Sequence, residues 1–170
     1  NIFEYIDQYP SFACPQTMLR YSKIFEIFNQ AIKIPGDFFE FGTWKGSTAL
    51  FLAKMLDEIE PQSKRKIFVF DNFSGLPAPT SQDSNFAKSQ IGEYKGDKEA
   101  LEFLIDCFDL THRIELVPGD ATKTIPEFFG KNIPYIISLA YFDFDLYEPT
   151  LIAWNQIKEF LIKGLIMVFD

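Results

Sequence analysis

Five apolar runs, each closing on an acidic residue and each parted from the next by a helix-like stretch, constrain this chain more than any other feature. They are "DFFEFG" with Glu40, "KIFVFD" ending at Asp71, "RIELVPGD" ending at Asp120, "YIISLAYFDFD" with Asp143 and Asp145, and "GLIMVFD" ending at Asp170. Between them, apolar residues recur at helical spacing. Before the first run, Tyr21, Phe25, Phe28 and Ile32 form a stripe on a helix from Pro15 to about Ile34, closed by Pro35-Gly36. "TALFLAKMLDEI" reads as a helix apolar nearly all round, residues 97–109 and "TKTIPEFF" as further helices, and Pro149 as the first turn of a helix running to about Ile162. Strands that are continuously apolar rather than alternating belong in parallel sheets covered on both faces. The expected fold is therefore α/β, and at 170 residues with 20 Phe and 7 Tyr it has material for a large core. The chain reads as one domain, 1–170, with an N-terminal helical segment at 1–34 and a loop or lid at 72–96, where no period is sustained.

A net charge of −8 argues against nucleic acid or a polybasic membrane surface as partner. Cys14 and Cys107 have no metal or redox spacing and read as plain thiols. With no run long enough to span a membrane and no signal-peptide pattern at the start, the expected compartment is the cytoplasm.

In open parallel sheets ligands bind beyond the carboxyl ends of the strands. All five runs deliver a carboxylate to that edge. Any one of them could be a helix cap, but five together repel unless something positive binds among them. The first turn, Glu40-x-Gly42-x-x-x-Gly46, departs from the dinucleotide fingerprint: an acid replaces its first glycine and the spacing is longer. A carboxylate there disfavours pyrophosphate and favours a cationic group such as an α-ammonium. Gly42 is expected to let the backbone approach the ligand, and Gly46 to relieve crowding at the helix start. Asp71 suits two ribose hydroxyls; Asp120 suits either a helix cap or an adenine amino group. Asp143 and Asp170, expected on neighbouring strands, offer hard oxygen ligands of the kind Mg²⁺ takes, the competing reading being a turn cap and a terminal acid.

The blocks "IPGDFFEFGTWKGST", "FDNFSGLP", "ELVPGDATKTIP", "FDFDLYEPT" and "KGLIMVFD" resemble, in order, those of the macrocin/mycinamicin O-methyltransferase family, over about residues 15–170. The family resemblance implies a Rossmann-like class I methyltransferase fold and a Mg²⁺-dependent enzyme that transfers a methyl group from S-adenosylmethionine to a sugar hydroxyl. It implies that Glu40, Gly42, Thr43, Gly46 and Ser47 line the methionine part of the cofactor, that Asp71 and Ser74 lie at the ribose, and that Gly119 and Asp120 flank the adenine. It also implies that Asp143 and Asp170 are metal ligands; Asp143 and Asp145 are the candidate catalytic residues. The implied acceptor is a small molecule, a glycoside or nucleotide-sugar, and a homo-oligomer is an open possibility.

Against the family pattern, two further strands and an acid after the fifth-strand aspartate are expected beyond Asp170, which suggests truncation at the C-terminus. The lid region lacks the histidine that some members use as base, and His112 is expected on the side away from the site. That leaves Asp145 or a lid residue to take the proton, with support of the metal as an equal role for Asp145; Tyr147 reads as core rather than lid. The alternatives are a catechol-like O-methyltransferase, a cofactor-binding scaffold without catalysis, and an NAD-dependent oxidoreductase, the last disfavoured by the missing fingerprint.

Overall fold

The computed structural model describes residues 8–131 and 133–170. Residues 1–7 of the expected N-terminal helical segment thus lie outside the described residues. The elements run α1 (Pro15–Ala31), β1 (Asp37–Phe41), α2 (Ser47–Ile59), β2 (Ile67–Asp71), α3 (Asn85–Ser89), α4 (Lys98–Cys107), β3 (Ile114–Pro118), α5 (Ala121–Phe129), β4 (Ile137–Phe142), α6 (Tyr147–Ile157) and β5 (Ile166–Phe169). The strands form one parallel sheet in the order β3-β2-β1-β4-β5. The order reverses between β1 and β4, which makes their carboxyl ends the switch point where a ligand crevice opens.

Successive residues of the central strands serve opposite faces. Phe38, Val69 and Leu139 pack under α1, α2 and α4, while Phe39, Phe41, Phe68, Phe70 and Phe142 pack under α5 and α6. The second face is largely aromatic: Phe41 lies 5.1 Å, ring centre to ring centre, from both Phe70 and Phe142, and Phe39 lies 4.9 Å from Phe68. Burial of such a side chain contributes about 1.5–3 kcal/mol, and aromatic pairing adds about 0.5–1.5 kcal/mol. This layer holds the strand ends in register.

Some helical expectations are corrected. The buried face of α1 is Ile24, Phe28 and Ala31, and Phe25 stands exposed on its flank. The loop at 72–96 contains the one-turn-and-a-half α3, started by Ser84, whose hydroxyl accepts the Ala87 N–H at 3.1 Å. Ile59, at the end of α2, is exposed, so that helix is buried on one face rather than all round.

Two arginines tie the amino-terminal edge of the sheet together. Arg113, 1% exposed, donates to Asp57 Oδ1 at 2.5 Å and to the carbonyls of Ser63 (2.7 Å) and Glu60 (3.0 Å), closing the C-terminal end of α2. Arg65 donates to Ser138 Oγ at 2.6 Å and to the carbonyls of Ile34 (3.1 Å) and Gly36. His112 joins Asp57 at 3.0 Å at this same edge, away from the switch point as expected.

Candidate active site

Because the strands are parallel, Glu40, Asp71, Asp120, Asp143 and Asp170 all sit at or just beyond the same edge. A cavity of about 920 Å³ opens there. Of the residues singled out in the sequence, Gly42, Thr43, Asp71, Ser74, Gly119 and Asp120 line it, as do Asp143, Asp145 and Asp170. Glu40, Gly46 and Ser47 do not. Glu40 is buried beneath the floor, Gly46 packs away from the cavity, and Ser47 is exposed at the start of α2.

The β1–α2 loop is shaped by backbone contacts. Asp71 Oδ2 accepts the N–H groups of Thr43 (2.8 Å) and Trp44 (2.9 Å), and its Oδ1 accepts that of Phe73 at 2.7 Å. A single carboxylate thereby fixes the turns after β1 and β2 against each other. Gly42 has φ +92°, and a Cβ there would strike the Asp143 carbonyl, so its freedom serves the close approach of the β1 and β4 ends. That is a backbone–backbone approach, made by a glycine that also lines the cavity. Gly46, φ +76°, leaves room for the Leu101 side chain, relieving the expected crowding at the helix start.

Glu40 points to the face covered by α1 and α2 and is only 2% exposed. Its Oε2 and the Thr43 hydroxyl are buried without a hydrogen-bond partner among the described residues. Burial pushes the Glu40 carboxyl up to about 8, and the nearby Asp143 and Asp71 push the same way. A raised carboxyl lowers folding stability progressively as pH climbs from its ordinary range to the folded value. Glu40→Gln is therefore expected to raise the melting temperature, by a margin that grows from about pH 4.5 to about pH 8 and then levels off. Scanning calorimetry across that range checks it; a pH-independent shift would contradict it.

Asp143 and Asp170 face each other across paired strands, since β4 and β5 are neighbours. Burial first, then the charge of Asp170, raises the Asp143 carboxyl to about 6. Tyr141 donates its hydroxyl hydrogen to Asp170 Oδ1 at 3.5 Å. Asp145 follows at φ +58°, a conformation uncommon for a residue with a side chain, and is itself raised by burial and by Asp170. Among the described residues, no group of three or more acidic, histidine or cysteine side chains is arranged to hold a metal; Asp143 and Asp170 are a pair. Asp120 is a helix cap for α5, accepting the Thr122 N–H at 3.0 Å and its hydroxyl at 2.7 Å, while it also lines the cavity.

Four contributors escaped sequence reasoning. Arg20 reaches over from α1 to Asp143. Trp44 and Tyr94, both in left-handed backbone conformations, meet edge to face at 5.8 Å on the cavity wall. Asp83 latches the 72–96 segment to α6: it accepts the Tyr147 N–H at 2.7 Å and the Thr80 N–H at 2.6 Å. Their types carry no motif; only the tertiary fold brings them to the cavity. Tyr147 itself is 48% exposed, so it is a surface residue beside the lid and not core. Asp83→Ala would orphan those amides, at about 1–3 kcal/mol for each one left without a partner. Limited proteolysis is expected to cut the variant within 72–96 faster than the wild type; equal rates would contradict the latch.

The comparisons with known proteins agree with this geometry. The family described as macrocin-O-methyltransferase (TylF) matches residues 13–170. The chain belongs to that family. It is 25% identical over 144 residues to a tetracenomycin-pathway enzyme of Streptomyces olivaceus, 8-demethyl-8-(2,3-dimethoxy-alpha-L-rhamnosyl)-tetracenomycin-C 4'-O-methyltransferase. The match takes in 81% of this chain and 53% of the relative, so the chain spans about half that relative's length. Among solved structures, the calicheamicin methyltransferase CalS11 superposes with a TM-score of 0.86 at 30% identity, over 100% of this chain and 70% of that one. The apo structure of CalS11, titled a TDP-rhamnose 3'-O-methyltransferase, gives a TM-score of 0.78 at 30% identity over the same shares. The O-methyltransferase NovP, at 21% identity and a TM-score of 0.68 over 82% of this chain and 59% of that one, shares the fold. As expected, then, this is an α/β methyltransferase sheet, parallel throughout its five strands. No helix among the described residues is long and apolar enough to cross a membrane.

Proposed function

We propose that this protein is an S-adenosylmethionine-dependent O-methyltransferase that, with Mg²⁺, methylates a hydroxyl of a sugar or sugar-containing small molecule. The observation that carries the reading is the pairing of Asp143 and Asp170 at a switch-point cavity whose floor hides an unpartnered carboxylate oxygen of Glu40. A buried acceptor is costly unless a donor meets it, and the α-ammonium of a methionine moiety is such a donor. Gly42 and Thr43, with Glu40 beneath them, are assigned to that end of the cofactor, Asp71 and Ser74 to the ribose, Gly119 and Asp120 to the adenine, while Gly46 and Ser47 support the turn from outside the cavity. Asp71 already accepts three backbone amides, so its remaining lone pairs are left for the ribose hydroxyls.

The residues at the metal position fit a hard cation as well. The charge of Asp170 helps to raise the Asp143 carboxyl, which favours a positive neighbour, and the oxygens of the two residues would suit Mg²⁺. When bound, S-adenosylmethionine supplies an activated methyl group and Mg²⁺ a charge that acidifies and orients an acceptor hydroxyl. Transfer would join the acceptor oxygen to the methyl carbon and leave the carbon–sulfur electron pair on sulfur. Asp145 lines the cavity and is raised by burial, which supports assigning it the hydroxyl proton. The turns after β1 and β2, fixed against each other by Asp71, would hold the donor in one orientation, and such positioning supplies much of the acceleration.

The activities for which the tetracenomycin relative and CalS11 are named favour a deoxysugar, carried on a glycoside or a nucleotide, over a catechol. The test is methyl transfer from labelled S-adenosylmethionine to a panel of rhamnosides and nucleotide-rhamnoses. Turnover is expected to stop in EDTA and return with Mg²⁺; unchanged turnover in chelator would remove the metal from the account.

A further inference from the structure

The cavity is lined by one cation among its described residues: every other charged side chain on it is acidic. That cation, Arg20, is built differently from the two structural arginines. Arg65 and Arg113 are 8% and 1% exposed at the side chain and saturated by carbonyls and carboxylates, whereas Arg20 is 42% exposed. A single nitrogen, Nη2, makes both of its contacts, to Asp143 Oδ2 at 3.3 Å and to Thr48 Oγ1 at 3.4 Å. Both lie at the long end of the hydrogen-bond range, and among the described residues Nε and Nη1 donate to nothing.

Its position suits an anion. Thr48 belongs to the first turn of α2, where backbone N–H groups and the helix dipole already favour negative charge. Glu40 and Asp143 lie close by, Asp143 in contact with Arg20 itself. An amino-acid zwitterion set there would meet acids at its ammonium and the guanidinium at its carboxylate.

We propose that Arg20 binds the α-carboxylate of the cofactor's methionine moiety, and that its pairing with Asp143 makes cofactor and metal binding cooperative. This rests on the S-adenosylmethionine and Mg²⁺ reading above. Without a divalent cation, Arg20 neutralises Asp143 and is held back from the carboxylate. A cation on Asp143 and Asp170 takes over that neutralisation and frees the guanidinium. Coupling of this kind is reciprocal, so the cofactor in turn tightens the metal.

Calorimetric titration of the purified protein with S-adenosylhomocysteine and with 5′-methylthioadenosine, each with and without Mg²⁺, tests the assignment. The second ligand keeps the nucleoside and thioether and lacks the amino-acid end. Arg20→Ala is expected to weaken S-adenosylhomocysteine by about tenfold or more, as for a lost charge-assisted hydrogen bond, and to leave 5′-methylthioadenosine unchanged. Arg20→Lys should recover part of the loss, and Arg20→Gln, which keeps the stem on α1, stands in should the alanine variant not fold. Mg²⁺ should tighten S-adenosylhomocysteine in the wild type and do so less in the variants. Equal affinity in wild type and variant, an equal loss for both ligands, or no effect of Mg²⁺ on the wild type would overturn the proposal. A folded wild type that binds 5′-methylthioadenosine and not S-adenosylhomocysteine would overturn it while leaving the nucleoside site standing. A wild type that binds neither would overturn the cofactor reading, and this proposal with it.

Discussion

Asp143→Ala is expected to lower methyl-transfer turnover by about a thousandfold or more while the melting temperature at neutral pH does not fall. The rate loss follows from the residue's place at the end of β4, facing Asp170 and beside Arg20. Stabilisation of developing charge at such a position is worth several kcal/mol, and each 1.36 kcal/mol is about tenfold in rate. The stability expectation has the opposite sign because burial and Asp170 raise this carboxyl to about 6. Above that pH the folded state carries a charge it would rather not hold, so removing the group relieves a cost. Asp143→Asn separates charge from shape and should be as inactive. Turnover within tenfold of wild type would show that the carboxylate pair is not the reaction centre.

Arg113→Met is expected to destabilise the fold by about 3–5 kcal/mol without touching the cavity. The guanidinium is fully buried and holds Asp57 together with the carbonyls that end α2. Methionine replaces the stem but none of the donors, leaving several carbonyls without partners and Asp57 with His112 alone. Because the bond network lies at the edge opposite the strand ends, affinity for S-adenosylhomocysteine below the melting transition should match the wild type. Urea unfolding and calorimetry together read both parts. A loss under about 1 kcal/mol would mean that water replaces the guanidinium, and a loss of affinity would mean that the two edges are coupled.

The strands were legible because continuous apolar runs such as "KIFVFD" have few alternatives once flanked by turns, and their acids share an edge as soon as the sheet is parallel. The neighbouring placement of Asp143 and Asp170 follows from a short β–α–β return. Other features lay beyond a linear reading. Arg20 looks like one more polar residue on a helix flank until α1 is laid across the β4 end. Arg113 sits beside His112 in a surface-like stretch, yet is buried because its guanidinium donates to the Glu60, Ser63 and Arg65 carbonyls of a distant turn. Phe25 and Tyr147 were read inward from residue type, and both are exposed, since a side chain's rotation about its helix is set by packing. Ser47 matched the family's glycine turn by position, but the helix start carries it to the outer surface.

The central claim is that the switch-point cavity binds the methyl donor beside a metal held by Asp143 and Asp170. A crystal structure of the protein with S-adenosylhomocysteine and Mg²⁺ tests it most directly. The account predicts the adenine against Gly119 and Asp120, the ribose on Asp71, the α-ammonium toward Glu40 and one ion shared by Asp143 and Asp170. Cofactor density elsewhere, or an ion that ignores those two aspartates at saturating Mg²⁺, would contradict it.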